Sequence, residues 1–166
     1  MDTTDNFLDA LDFTALQSTV TDANFPWFYQ NSVAWKSMED GFEDDPYNFQ
    51  FIHSFYERHA PNSGFIKLIE PILDKLNPTA IIRIKANLIT RAPTIEEHIM
   101  HVDVPDVSCK TSIFYINTND GYTKFEDGTV VNSIENRLVT FDSTMKHCGT
   151  TCTDSKYRIA INFNYF

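Results

Sequence analysis

The chain has 166 residues, 42% hydrophobic and 22% charged, which suits one folded domain with a real core and excludes a disordered chain. Its 23 acidic and 13 basic residues give a formal net charge of -10 with no Lys/Arg cluster, so nucleic acid and anionic membrane surfaces are poor partners. Aromatic residues reach 14%, a share that favours strands around a broad apolar interior.

The opening residues, Met1-Asp2-Thr3-Thr4-Asp5-Asn6, have neither the basic nor the apolar region of a signal peptide. No apolar run is long enough to span a membrane. The three cysteines (Cys109, Cys148, Cys152) follow no disulfide framework spacing, so a reducing, cytoplasmic compartment is expected.

A helix is expected first, with Phe7, Leu8 and Leu11 on one face and Leu16 and Val20 repeating four apart. Phe25-Pro26-Trp27-Phe28-Tyr29 breaks it, because Pro26 cannot continue a helix; this knot reads as an edge strand or a plug over the core. Residues 36–48 are acidic and hold Gly41 and Pro46, the marks of an exposed loop, with a lid over an active site as the sharper reading. Helical period returns over 50–76, where Phe65, Leu68, Ile69, Ile72, Leu73 and Leu76 form one stripe and Asn62-Ser63 can cap the start. Pro71 predicts a kink or fresh start near Glu70. His53 and His59 have no partner at ligand spacing and read as packing or surface residues.

From residue 81 the period is two: Ile82, Ile84, Ala86 and Leu88 alternate with Arg83, Lys85 and Asn87. Further strands are expected over 98–103, 112–116, 122–125, 129–134, 137–141 and 157–166, with Asn119-Asp120-Gly121 and Glu126-Asp127-Gly128 as turns. Short strands without interleaved helices pair antiparallel. The expected fold is mainly β with an α front (α+β): a double-stranded β-helix, or jelly roll, covered on one face by N-terminal helices. It would be a single domain over 1–166, with 1–80 as front and support and 81–166 as the core that carries the site.

Two sequence features carry chemistry. His101-Val102-Asp103 on a strand puts an imidazole and a carboxylate on one face, and His147 on a distant strand would complete two imidazoles and one carboxylate. That set covers one face of an octahedron, as in non-haem Fe(II) oxygenases, although the same ligands could hold catalytic zinc. His98 is a rival ligand, but its spacing to His101 suits a helix and the segment reads as strand. Cys148 and Cys152 read as ordinary buried or loop thiols. The second feature is Arg158, eleven positions after His147 on an alternating run. Arg158, Ala160, Asn162 and Asn164 share one side of that run, and a buried arginine needs an anionic partner. The far carboxylate of 2-oxoglutarate is such a partner, and Arg158 can grip it with a fork of two N–H groups. Tyr115 could add a hydroxyl, and Asn162 is a weaker candidate for the same role. These features favour iron with 2-oxoglutarate over zinc.

The motifs resemble the Fe(II)- and 2-oxoglutarate-dependent dioxygenases of the prolyl-hydroxylase-like group. They are H-V-D at 101–103, S-I-F-Y-I-N at 112–117, N-D-G-Y-T-K-F at 119–125, N-R-L-V-T-F at 136–141, His147 and Y-R-I-A-I-N-F at 157–163. The short form, with F-P-W-F-Y near its start and R-I-K-A-N-L at 83–88, is similar to small oxygenases encoded by tailed bacteriophages, which would place it in a host cytoplasm. The resemblance implies that His101, Asp103 and His147 are catalytic iron ligands and that Arg158 binds 2-oxoglutarate with help from Tyr115. It implies O2 as co-substrate, ascorbate as an optional reductant, and succinate and CO2 as co-products. Asn162 stands where animal prolyl hydroxylases have a threonine, Asn164 replaces an aromatic residue, and Asn87 or Ile89 falls near their tyrosine. The expected reaction is hydroxylation of a prolyl or other protein side chain, or of a small molecule. The competing readings are a non-catalytic jelly-roll or virion-associated module and a nucleobase oxygenase of the same fold.

Overall fold

The structure, a computed structural model, describes residues 1–33, 47–105 and 107–166. Its strands are β1 (Asp2–Thr4), β2 (Phe28–Gln30), β3 (Gln50–Glu57), β4 (Ala60–Pro61), β5 (Ile81–Thr90), β6 (Lys110–Tyr115), β7 (Tyr122–Phe125), β8 (Val130–Asn132), β9 (Arg137–Asp142), β10 (His147–Gly149) and β11 (Tyr157–Tyr165). The helices are α1 (Ala10–Val20) and α2 (Glu70–Leu76). The large sheet runs β1-β9-β6-β11-β5-β3-β2, with β4 paired to β3, and the small one runs β10-β7-β8. Each pairing is antiparallel.

The pleat of β11 sorts the two faces of the large sheet. Ile159, Ile161 and Phe163 pack with Phe13, Leu16 and Val20 of α1 and Ile72 of α2. On the other face Ala160, with Ile113 and Tyr115 of β6 and Val139 and Phe141 of β9, meets Phe125 and Val131 of the small sheet. The helices thus cover one face, as expected of this jelly roll, and the polar positions of β11 lie between the two sheets.

Several elements differ from the sequence expectation. Helical period holds only from a short 3-10 turn (Ile66–Ile69) into α2; residues 50–57 are strand β3. There Gln50, His53 and Phe55 bury against the sheet, and the long apolar stripe downstream hides that short alternation. The fresh start does fall at Glu70, with Pro71 in the first turn, where its missing N–H breaks no helical bond. Ser63 Oγ accepts from the Phe65 amide at 2.9 Å in a turn before the 3-10 segment, whose N-cap is Phe65 without a side-chain cap. Residues 98–103 are not a strand; His101 meets His147 of β10 at an isolated bridge, and Glu97, just before them, meets Thr150 at another. Phe28–Gln30 is the expected edge strand, paired with β3, while Phe25 and Trp27 plug the core. His53 is a packing residue, with its ring nitrogens near the Pro26 carbonyl and Ser63 Oγ. Residues 36–46 of the expected acidic loop, with the lid reading, lie outside the described residues. Among the described residues no helix is long and apolar enough to cross a membrane.

Asn136 ties down the front of the chain alongside the β1–β9 pairing. Leu11 is 84% exposed, so the expected Phe7-Leu8-Leu11 stripe does not form. Instead Phe7 and Leu8 precede α1, whose cap is Asp9. Asn136 Oδ1 accepts from the Leu8 amide at 2.8 Å, and its Nδ2 donates to the Leu8 carbonyl at 2.9 Å. Its backbone is left-handed, with φ 58. Asn136→Ala should lower stability by about 3 kcal/mol in a urea titration, because two buried backbone groups lose partners and alanine fits that backbone poorly.

Candidate active site

His101, Asp103 and His147 converge at one end of the space between the sheets. The bridge that joins His101 to His147 is a reciprocal pair of backbone bonds, 2.9 and 3.0 Å, so the two residues stand opposite each other. Asp103, two residues on, points to the same side. His101 Nε2 lies 3.9 Å from Asp103 Oδ1, and His147 Nε2 lies 3.7 Å from Asp103 Oδ2. One donor atom from each residue falls within 4.8 Å of the other two. Each histidine has Nδ1 near the carbonyl two residues back, Ile99 at 3.0 Å and Met145 at 3.1 Å. A proton on Nδ1 donates there, which leaves both Nε2 lone pairs for a metal. Burial lowers the His147 pKa below the usual histidine value, and the Asp103 carboxylate opposes that shift.

Asp103 is held as a carboxylate. Burial alone would raise its pKa, but His147, Asn162 and Arg83 together bring it below the usual value. Asn162 Nδ2 donates to Oδ2 at 2.8 Å and Asn164 Nδ2 at 3.3 Å, while Arg83 Nη2 approaches Oδ1 at 3.4 Å. Asn162, expected as a co-substrate contact, both lines the cavity and orients Asp103.

Arg158 opens into the same cavity as the three converging residues. Its side chain is 4% exposed, and among the described residues no carboxylate lies within ion-pair distance of it. Burial depresses its pKa. Nε donates to Ser133 Oγ at 2.7 Å, Nη2 donates to Thr123 Oγ1 at 3.1 Å, and the guanidinium stands 5.5 Å from the centre of the Tyr115 ring. With Ser133 and Thr123 already accepting, a further acceptor can reach the guanidinium from the cavity side, where Gly149 keeps the space beside Nη1 narrow but open. Tyr115 itself is fully buried and gives its hydroxyl proton to Thr123 Oγ1 at 2.8 Å. Thr123, which does line the cavity, was not singled out by the sequence; it lies on the expected strand 122–125 but has no spacing to mark it.

Gly121 also escapes a turn-only reading. A Cβ there would stand 2.8 Å from Arg158 Cδ and 2.6 Å from the Thr151 carbonyl, so only glycine lets the arginine stem pass. Gly121→Ala should weaken anion binding at Arg158 about tenfold, read by titration with 2-oxoglutarate, and leave metal uptake unchanged. The other candidates are not in the converging group: His98 lies outside it, and Cys109, Cys148 and Cys152 are buried free thiols.

Solved structures carry the same architecture. A prolyl hydroxylase from Trichoplax adhaerens, in complex with a hypoxia inducible factor oxygen degradation domain peptide fragment, superposes with TM-score 0.67 at 18% identity, over 99% of this chain and 82% of that one. A Pseudomonas putida prolyl-4-hydroxylase gives 0.61 at 15% identity, over 99% and 90%. This is the prolyl-hydroxylase fold. A viral collagen prolyl hydroxylase from Paramecium Bursaria Chlorella virus-1 has it too, with TM-score 0.57 at 12% identity, over 99% and 88%. No family model matches the sequence, and no curated protein matches it. In this fold the site lies between the large and small sheets, on the face turned away from the helices.

Proposed function

We propose that the protein is an Fe(II)- and 2-oxoglutarate-dependent oxygenase, built as one domain over residues 1–166, that hydroxylates a prolyl or other protein side chain or a small molecule. The observation that carries this reading is Arg158: a buried cation with no acid beside it among the described residues, facing the cavity that His101, Asp103 and His147 also face. A buried unpaired charge costs several kcal/mol, and an anionic ligand offsets that cost. Two imidazoles and one carboxylate fit Fe(II), and His101, Asp103 and His147 would hold it. When bound, iron and 2-oxoglutarate supply the oxidation: O2 is consumed, 2-oxoglutarate leaves as succinate and CO2, and a substrate C–H becomes C–OH.

The chain's own residues do the positioning. Arg158 takes the far carboxylate of 2-oxoglutarate, and Thr123 and Ser133 hold its guanidinium in place. Tyr115 supports Thr123 from beneath. Asn162 and Asn164 hold Asp103 in a fixed orientation. Ile89, Ile113 and Ala160 keep part of the cavity wall apolar and limit the water there. The peptide bound by the Trichoplax adhaerens structure supports a protein-side-chain substrate as one option.

The test is an anaerobic titration. Protein loaded with Fe(II) and given 2-oxoglutarate should develop a visible metal-to-ligand charge-transfer band, and His101→Ala should abolish it. Absence of the band from wild type at saturating iron and 2-oxoglutarate would overturn the reading.

A further inference from the structure

Lys85 is a second cation on the cavity wall, and the proposed oxygenase chemistry leaves it unused. It belongs to the inward-facing positions of β5, which are Arg83, Lys85, Asn87 and Ile89. In register it lies opposite Asn162 of β11 on one side and Ser54 of β3 on the other. Among the described residues no carboxylate stands within ion-pair distance of it. Asp103 and Glu57 attract it from farther away, and Arg83 repels it. Asp103 is the one carboxylate among the described cavity-lining residues, and it belongs to the metal-ligand group. The neighbouring Arg83 spends Nη2 on Asp103, while its buried Nε has no partner. The wall on this side therefore carries more positive charge than the described residues neutralise.

Position separates Lys85 from the co-substrate clamp. Arg158 is in register with Ile89, four residues from Lys85, which is about 13 Å along the strand. Lys85 is level with Asn162 and hence with Asp103. A 2-oxoglutarate held at its far end by Arg158 reaches the metal-ligand group from the other direction. That leaves Lys85 beside the group, where the substrate must lie. Burial and the nearby Arg83 bring its pKa down to about 8, so it remains a cation at neutral pH.

We propose that Lys85 binds a carboxylate of the substrate, and that the substrate is a small carboxylic acid, such as a free amino acid, whose oxidised carbon lies close to that carboxylate. This rests on the oxygenase reading and narrows it, because a prolyl or other neutral residue inside a peptide has no such carboxylate.

The experiment loads the protein with redox-inert Mn(II) and 2-oxoglutarate and measures binding calorimetrically for the twenty common free L-amino acids and their carboxamides. At least one acid should bind about tenfold or more tightly than its amide. Lys85→Met should remove that preference and Lys85→Arg should keep it, both with wild-type affinity for 2-oxoglutarate. If no acid binds, if the amides bind equally, or if Lys85→Met keeps the preference, the proposal falls and the oxygenase reading stands. A neutral internal prolyl peptide that binds where the acids do not would also overturn it. Loss of 2-oxoglutarate affinity in Lys85→Met would make Lys85 a co-substrate residue and overturn it as well. A wild type that takes up no 2-oxoglutarate overturns the oxygenase reading itself, and this proposal with it.

Discussion

Arg158→Met should bind 2-oxoglutarate about a hundredfold more weakly than wild type, a loss of about 3 kcal/mol. The arginine is buried, and its bonds to Ser133 and Thr123 leave the cavity side of the fork for a ligand. Methionine keeps much of the volume and loses both charge and fork. The same substitution should leave the ligand-free protein with an unchanged or higher melting temperature, because an unpaired buried cation opposes folding. The decisive measurement is the melting temperature of each protein with and without 2-oxoglutarate and Mn(II). Wild type should rise with ligand and the variant should not. A variant that melts well below wild type without ligand, yet still rises with it, would make Arg158 a structural residue.

Asp103→Asn should abolish stable iron binding, with at least a hundredfold loss of affinity. Asparagine keeps the shape and an oxygen that can accept from Asn162, so the fold should survive. What disappears is the negative charge between two neutral imidazoles, which sets the affinity of the site for a dication. Iron content after anaerobic reconstitution and gel filtration measures it directly. Wild-type iron content in the variant would show that the carboxylate is not a ligand.

These two residues were legible because their signals are local. His-x-Asp on extended backbone needs only the two-residue repeat to place both groups on one side. The period of β11 placed Arg158 opposite the apolar set Ile159, Ile161 and Phe163, and those three do pack under the helices. Other features were less legible. The Tyr115 hydroxyl donates to Thr123, a contact set by the packing of β6 against β7 that no local pattern records. Residues 50–57 were hidden behind the helical stripe that follows them, and 98–103 lacks the neighbour that would extend it into a strand.

The sequence by itself determined the mainly β architecture, the alternation of β5 and β11, and the identity of the three converging residues His101, Asp103 and His147. Each follows from a repeat of two or from short spacings, which a one-dimensional pattern can carry. Only the tertiary structure decided which side of those strands faces the small sheet. It alone brought Gly121 under the stem of Arg158, set Asn162 and Asn164 on Asp103, and turned Lys85 into the same cavity. The pairing of β1 with β9 likewise joins the first residues of the chain to positions 138–140. Such contacts depend on side chains far apart in the chain meeting across sheets, and no local period records which distant strand will be the neighbour.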